Sequence, residues 1–211
     1  MADSRLYDIS PPIGPDLAVW PGDTPFSREI LMEMRRGANI TLSTLRATAH
    51  LGAHADAPSH YGAEAPGIDR RDLALYLGPC QVIRAVVGRG GLVAPGHLPA
   101  TLAADRVLFA TGTFPDPTRF NTDFAALAPE LIVALQGHGV RLVGVDTPSV
   151  DPFDSKDLPA HRACLAADMA ILEGLVLADV PEGVYELIAP PLRLVDCDAS
   201  PVRAILRALP P

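Results

Sequence analysis

Cysteine is scarce in this chain, basic residues are outnumbered, and no apolar run is long. The three cysteines, Cys80, Cys164 and Cys197, are odd in number, widely spaced and in no C-x-x-C pair. They exclude a disulfide framework and indicate reduced, buried thiols in a cytoplasm. Lys and Arg total 17 against 25 Asp and Glu, a net charge of −8. That balance excludes a nucleic-acid partner held through phosphate contacts. No apolar run approaches the ~20 residues needed to span a bilayer, so no membrane is expected. The opening "MADSRLYDIS" has no basic segment followed by an apolar one, so no secretion signal is expected. A G-x-S-x-G nucleophile elbow is also missing. "GRGG" at Gly88 to Gly91 lacks the third glycine of a dinucleotide fingerprint and reads as a turn.

What is present is a globular composition. The 211 residues are 48% hydrophobic, enough for one large buried core and a single domain over 1–211. The 22 prolines and 17 glycines are spread through the chain, which predicts many short elements joined by turns. β-Branched and apolar runs predict strands over 38–49, 80–87, 105–112, 140–146 and 185–189. "PELIVALQGHG" predicts a helix, with Pro129 at its first position and Gly137 or Gly139 at its end. "PAHRACLAADMA", 159–170, predicts a second. "SPVRAILRAL", 200–209, fits either a helix or a last strand. The mixture predicts an α/β fold with a mixed, curled sheet.

Histidine is the residue used unevenly. Three of the six fall in "HLGAHADAPSH", His50 to His60. Thr44, Arg46, Thr48, His50, Gly52, His54 and Asp56 alternate with Leu45, Ala47, Ala49, Leu51, Ala53 and Ala55. That period of two predicts a strand running into a loop. On a straight strand His50 and His54 would stand ~13 Å apart, so Gly52 is expected to bend the chain and bring the imidazoles together. Two His and one carboxylate, with a position left open, form a catalytic zinc set. A solvated strand face would carry Lys, Glu and Thr instead, and a core face Val or Ile. Glu173 interrupts the apolar run "MAILEGLVL", where a charge needs a partner, and a metal ion would be one. His97 and His138 sit in turn-like contexts and read as structural. Cys164, three residues after His161, is a weak thiol-nucleophile candidate.

"HLGAHADAPSH" resembles the H-x-G-x-H-x-D-x-P-x-H signature of the metal-dependent cyclase family. "LYDISPPIGPDLAVWPGDTPF" resembles the N-terminal segment of that family's bacterial kynurenine formamidases (arylformamidases). "VGVDTPSVDPFDSKDLPAHRACLAADMAILEGLVL" and "YELIAPPLRLVDCDASPVRA" resemble its second half. The resemblance implies a swivelling β/β/α fold, a homodimer and two zinc ions per subunit. It implies His50, His54, Asp56, His161 and Glu173 as metal ligands, with the two carboxylates between the ions. It implies His60 as the catalytic histidine and Trp20 as the aromatic contact to substrate. Ala53 departs from the Thr many members carry there, which touches a supporting hydrogen bond and no ligand. The implied reaction is hydrolysis of N-formyl-L-kynurenine to L-kynurenine and formate in tryptophan breakdown. The rivals are another hydrolase of the family acting on a cyclic or aryl amide or an ester, such as isatin; a non-catalytic metal-binding module; and a thiol enzyme using Cys164.

Overall fold

A computed structural model describes residues 5–209. The first four residues, on which the expectation of no secretion signal partly rests, lie outside the described part. In chain order the strands are β1 (Leu6–Asp8), β2 (Ser27–Met32), β3 (Leu42–Arg46), β4 (His54–Asp56), β5 (Leu77–Arg84), β6 (Leu92–Val93), β7 (Arg106–Ala110) and β8 (Ala126–Leu127). Then come helix α1 (Pro129–Gly137), β9 (Leu142–Val145), helix α2 (Pro159–Ala166), β10 (Ala170–Glu173), β11 (Gly183–Ile188), β12 (Ala199–Pro201) and β13 (Ile205–Ala208).

Nine strands form one mixed sheet in the order β1-β13-β11-β5-β7-β9-β10-β4-β12. The four central strands β5, β7, β9 and β10 run parallel, and the flanking pairings are antiparallel. Chain connectivity forces this sheet to curl. β12 is the last strand and β13 the second, seven spacings of ~4.8 Å apart on a flat sheet, or ~34 Å. Yet only Val202 to Ala204 join them, and a fully extended step from Pro201 to Ile205 spans at most ~14 Å. The sheet therefore closes most of the way round into a half-barrel. Val202 N donating to the Ala53 carbonyl (2.9 Å) and Ile9 N donating to the Ala204 carbonyl (3.0 Å) fasten the seam.

Alternation along the strands divides the core in two. Val82, Leu108, Leu172, Leu187 and Leu206 fill the inside of the curl. Ile83, Val107, Phe109, Val143 and Ile171 face outward, against Leu131 and Leu135 of α1 and Ala160 and Cys164 of α2. The α1 and α2 expectations hold, with Pro129 and Pro159 at the first helical turns. One expectation changes and one is settled. The second helix stops at Ala166, because Asp168 adopts a left-handed backbone (φ 49°) and Ala170 already opens β10. The 200–209 segment, open between helix and last strand, is strand. Ala199–Pro201 pairs with β4 as an edge strand, where a proline is tolerated, and Ile205–Ala208 pairs between β1 and β11.

The long strand expected through 44–56 is also broken. Pairing ends at Arg46 and resumes at His54, with bends between. Gly52, where a bend was expected, has a left-handed backbone (φ +59°). β4 is then only three residues long and buried between β10 and β12.

Gly174, straight after β10, also has a positive φ (+65°), and a Cβ there would lie 2.2 Å from the Gly52 carbonyl oxygen. The two glycines let the ends of β10 and the signature loop touch. Gly174→Ala should cost about 2 kcal/mol or more, a melting-temperature loss of roughly 5 °C or more by thermal unfolding. Gly137→Ala, in α1 with open space around it, should leave the melting temperature unchanged or raise it slightly.

Candidate metal centre

The bend at Gly52 and the register of β4 build the first half of the site. Ala53, Ala55 and Ala57 are buried on the inside of the curl, which turns His54 and Asp56 to the opposite, helix-facing side. β10 runs antiparallel beside β4, placing Glu173 opposite His54 and Ile171 opposite Asp56. α2 packs over that face and delivers His161. Pro58 then opens a short 3-10 turn through His60, which folds the chain back so that the His60 ring stands 4.2 Å from the His50 ring, centroid to centroid.

Six of the expected residues meet here. His50 Nδ1 lies 3.1 Å from Asp56 Oδ1. His54 Nε2 lies 3.5 Å from Asp56 Oδ1 and 3.3 Å from Glu173 Oε2. His161 Nε2 lies 3.3 Å from Asp56 Oδ2 and 3.6 Å from Glu173 Oε1. Donor atoms of His50, His54 and Asp56 fall within 4.8 Å of one another, and so do those of Asp56, His60 and His161. Trp20 stands apart, in the wall of the adjoining cavity, its ring 4.9 Å from that of Phe153 and 5.5 Å from that of Phe120.

The outer contacts fix how these imidazoles present themselves. His54 Nδ1 donates to the Gly52 carbonyl at 2.8 Å, so Nε2 carries the lone pair that points at the carboxylates. His161 Nδ1 donates to Asp151 Oδ2 at 2.7 Å, with the same result. Asp151 also accepts from the backbone N–H groups of Ala160 (2.9 Å) and His161 (3.0 Å), which leaves the first turn of α2 satisfied. Histidines that bind metals are oriented in this way by a carbonyl or carboxylate on the other ring nitrogen.

The remaining atoms fit a cation. His54 Nε2, His161 Nε2 and both Asp56 oxygens are buried and have no hydrogen-bond partner among the described residues. Buried polar atoms are normally paired, and here lone pairs and carboxylate oxygens face one another. Divalent zinc, manganese or cobalt suits such nitrogen and oxygen donors. Protons are the competing cations. Burial alone would lower the His161 pKa, but the carboxylates of Asp151, Asp56 and Glu173 raise it to about 10. His50 is raised to about 9 against the same burial by Asp56 and Asp198. His60 goes the other way: burial and the neighbouring His50 and His161 outweigh Asp56 and Glu173 and lower its pKa, which keeps its imidazole neutral.

Two contributors were not anticipated. Asp198 Oδ2 lies 3.1 Å from His50 Nε2 and 3.9 Å from His60 Nδ1. It comes from the loop before β12, 148 positions from His50, and its "DCDAS" context carries no spacing signal. Asp151 sits ten residues before His161 in "SVDPF", equally unmarked. Cys164 is fully buried and its thiol pKa is pushed up by burial, so it provides no thiolate. Cys80 is buried as expected, whereas Cys197 is partly exposed, and all three are free. His97 and His138 are turn and helix-end residues, as expected.

A cavity of about 630 Å³ opens over the cluster. Arg84, Gly112, Asp146 and Glu173 line it, each at or just beyond the carboxyl end of one of the four parallel strands. Ligands bind at that end of open α/β sheets. Phe114, Phe120 and Trp20 form an aromatic wall.

Residues 7–152 match the Cyclase family model, described as "Putative cyclase", and the chain belongs to that family. Solved structures agree over the full length. A protein called a potential metal-dependent hydrolase with cyclase activity is 27% identical, with 99% of this chain and 100% of that chain covered and a TM-score of 0.84. A predicted metal-dependent hydrolase from Bacillus stearothermophilus is 28% identical, covering 98% and 99%, with a TM-score of 0.82. Isatin hydrolase A from Labrenzia aggregata, bound to benzyl benzoate, is 23% identical over 97% and 94%, with a TM-score of 0.78, and shares the fold.

Asp151 offers a direct test of the donor set. Asp151→Asn replaces an acceptor of His161 Nδ1–H with an amide that can donate instead, which disfavours the tautomer that points a lone pair at Asp56. Zinc affinity, measured by competition with a chromogenic chelator, should fall about 10- to 100-fold. Unchanged affinity would show that His161 needs no such orientation.

Proposed function

We propose that this chain is a metal-dependent hydrolase that cleaves N-formyl-L-kynurenine to L-kynurenine and formate. The observation that carries the reading is the buried convergence of His50, His54, Asp56, His161 and Glu173, with His60 beside them and an aromatic-walled cavity above. The similar solved proteins called metal-dependent hydrolases support it, and the "WPGDTPF" segment, with the short chain length, favours the formamidase branch.

His50, His54, Asp56, His161 and Glu173 would hold two zinc ions. When bound, zinc supplies Lewis acidity, making water at neutral pH more acidic and stabilising negative charge on an acyl oxygen. The protein's own groups do the rest. Trp20 and the phenylalanine wall take the flat aryl group of the substrate. His60 Nδ1 faces Asp198, and its ring can accept a proton from water as water adds to the formyl carbon. The C–N bond then breaks, and His60 returns that proton to the aryl amine. The formyl carbon bears no side chain, so the inner end of the cavity can be narrow.

The chain would work as a cytoplasmic homodimer. No helix among the described residues is long and apolar enough to cross a membrane. The β2–β3 hairpin supports a dimer. It exposes Ile30, Leu31, Met32, Leu42 and Leu45, and an isolated two-stranded hairpin is marginal in water.

Turnover of N-formyl-L-kynurenine by chelated and zinc-restored protein tests the reaction: restored protein should hydrolyse it and chelated protein should not. Turnover of isatin with none of the formamide would favour the cyclic-amide alternative. The two histidines of the signature should also separate. His54→Ala should lose bound zinc and some thermal stability. His60→Ala should keep its zinc and fold and lose roughly 10²–10⁴ in rate. Metal analysis beside kinetics decides it: a metal-depleted His60→Ala would make His60 a ligand.

A further inference from the structure

The cavity wall contains one arginine or lysine, Arg84. Four carboxylates, Asp23, Asp146, Glu173 and Asp198, line the same space. Eight other arginines among the described residues pair with carboxylates. Arg84 does not. Its Nη2 donates to the Val180 carbonyl at 3.2 Å, and its backbone N–H is held by Glu182 Oε1 at 2.8 Å. These contacts tether the side chain and leave Nε and Nη1 without a hydrogen bond among the described residues. A tethered guanidinium with spare donors at a cavity mouth suits a planar anion.

Its position relative to the metal cluster is set by the sheet. Arg84 pairs in register with Ala110 at the carboxyl end of β7, and Glu173 ends β10, at the other side of the parallel block. Three spacings of ~4.8 Å separate the two strands, roughly 14 Å. A substrate reaching from one to the other must be elongated, with its scissile group at the metal end and an anion at the far end. The aromatic wall of Phe114, Phe120 and Trp20 belongs to the same cavity.

We propose that Arg84 is a specificity-determining residue that binds the carboxylate of an N-acylated aryl amine, and so selects substrates that carry a carboxylate over those that carry none. The inference rests on the hydrolytic reading of the cavity. N-Formyl-L-kynurenine carries such a carboxylate at the end of its side chain; formanilide and isatin carry none.

The experiment compares wild type, Arg84→Ala and Arg84→Lys on N-formyl-L-kynurenine and on formanilide. Arg84→Ala should raise KM for formylkynurenine roughly 10- to 100-fold, the worth of a charged hydrogen-bonded pair, with kcat changed only a few-fold. The preference for formylkynurenine over formanilide should fall by the same factor, and Arg84→Lys should lie between. An equal shift on both substrates, or no shift on either, overturns the proposal. Should the wild type cleave neither substrate, the hydrolytic reading fails separately. Quenching of Trp20, the sole tryptophan, by added L-kynurenine then reads Arg84 without turnover. Kd should rise at least 10-fold in Arg84→Ala; an unchanged Kd, or no binding by the wild type, overturns it.

Discussion

Two carboxylates buried side by side constrain everything else in this molecule. The Asp56 side chain is fully buried and that of Glu173 nearly so, on adjacent strands, and both face the same imidazole nitrogens. Burial by itself pushes a carboxyl toward its neutral form, yet the imidazoles of His161, His50 and His54 facing its oxygens hold Asp56 well below the usual carboxylate range. Ionised groups of one sign are stable in such a place only with compensating positive charge. Protons on His50 and His161 are one source, and divalent metal is the other. Competition between them makes metal binding and proton release a single event.

The fold supplies the rigidity this requires. β4 is three residues long but hydrogen-bonded on both edges, so His54 and Asp56 cannot drift. Small side chains make room: alanines line the inner face of β4, and Gly52 and Gly174 let two backbones touch. The curl that the short β12–β13 link imposes brings the signature, at one edge of the sheet, against segments from both ends of the chain. The parallel strands end on the cavity, and the residues after them (Gly112, Asp146 and Gly174) shape its floor.

Much of this was legible in the sequence, and the rest was hidden for physical reasons. The β-branched runs marked the central strands because those strands are buried on both faces. The first helix was marked by Pro129 at its first turn. The period of two through 44–56 correctly separated His54 and Asp56 from the alanines, but it could not show that pairing breaks at Arg46 and resumes at His54. β10 was masked because Met169 and the strand that follows extend the apolar character of α2. His161 and Glu173 came mainly from the family resemblance, since nothing local distinguishes a helix histidine from a ligand. Asp151, Asp198 and Arg84 were not seen at all. Asp198 meets His50, and Arg84 the Val180 carbonyl, only across long stretches of chain, Asp151 meets the first turn of α2 through a loop without a spacing signal, and each sits in an ordinary acidic or basic context.

We infer that His50, His54, Asp56, His161 and Glu173 would together hold two divalent ions. Zinc titration of the chelated chain, with bound metal counted by elemental analysis after removal of free ion, tests it most directly. Saturation close to two ions per chain is the predicted result. Saturation at one under zinc excess would contradict it, leaving the second set of nitrogen and carboxylate donors around Asp56 to be stabilised by protons alone.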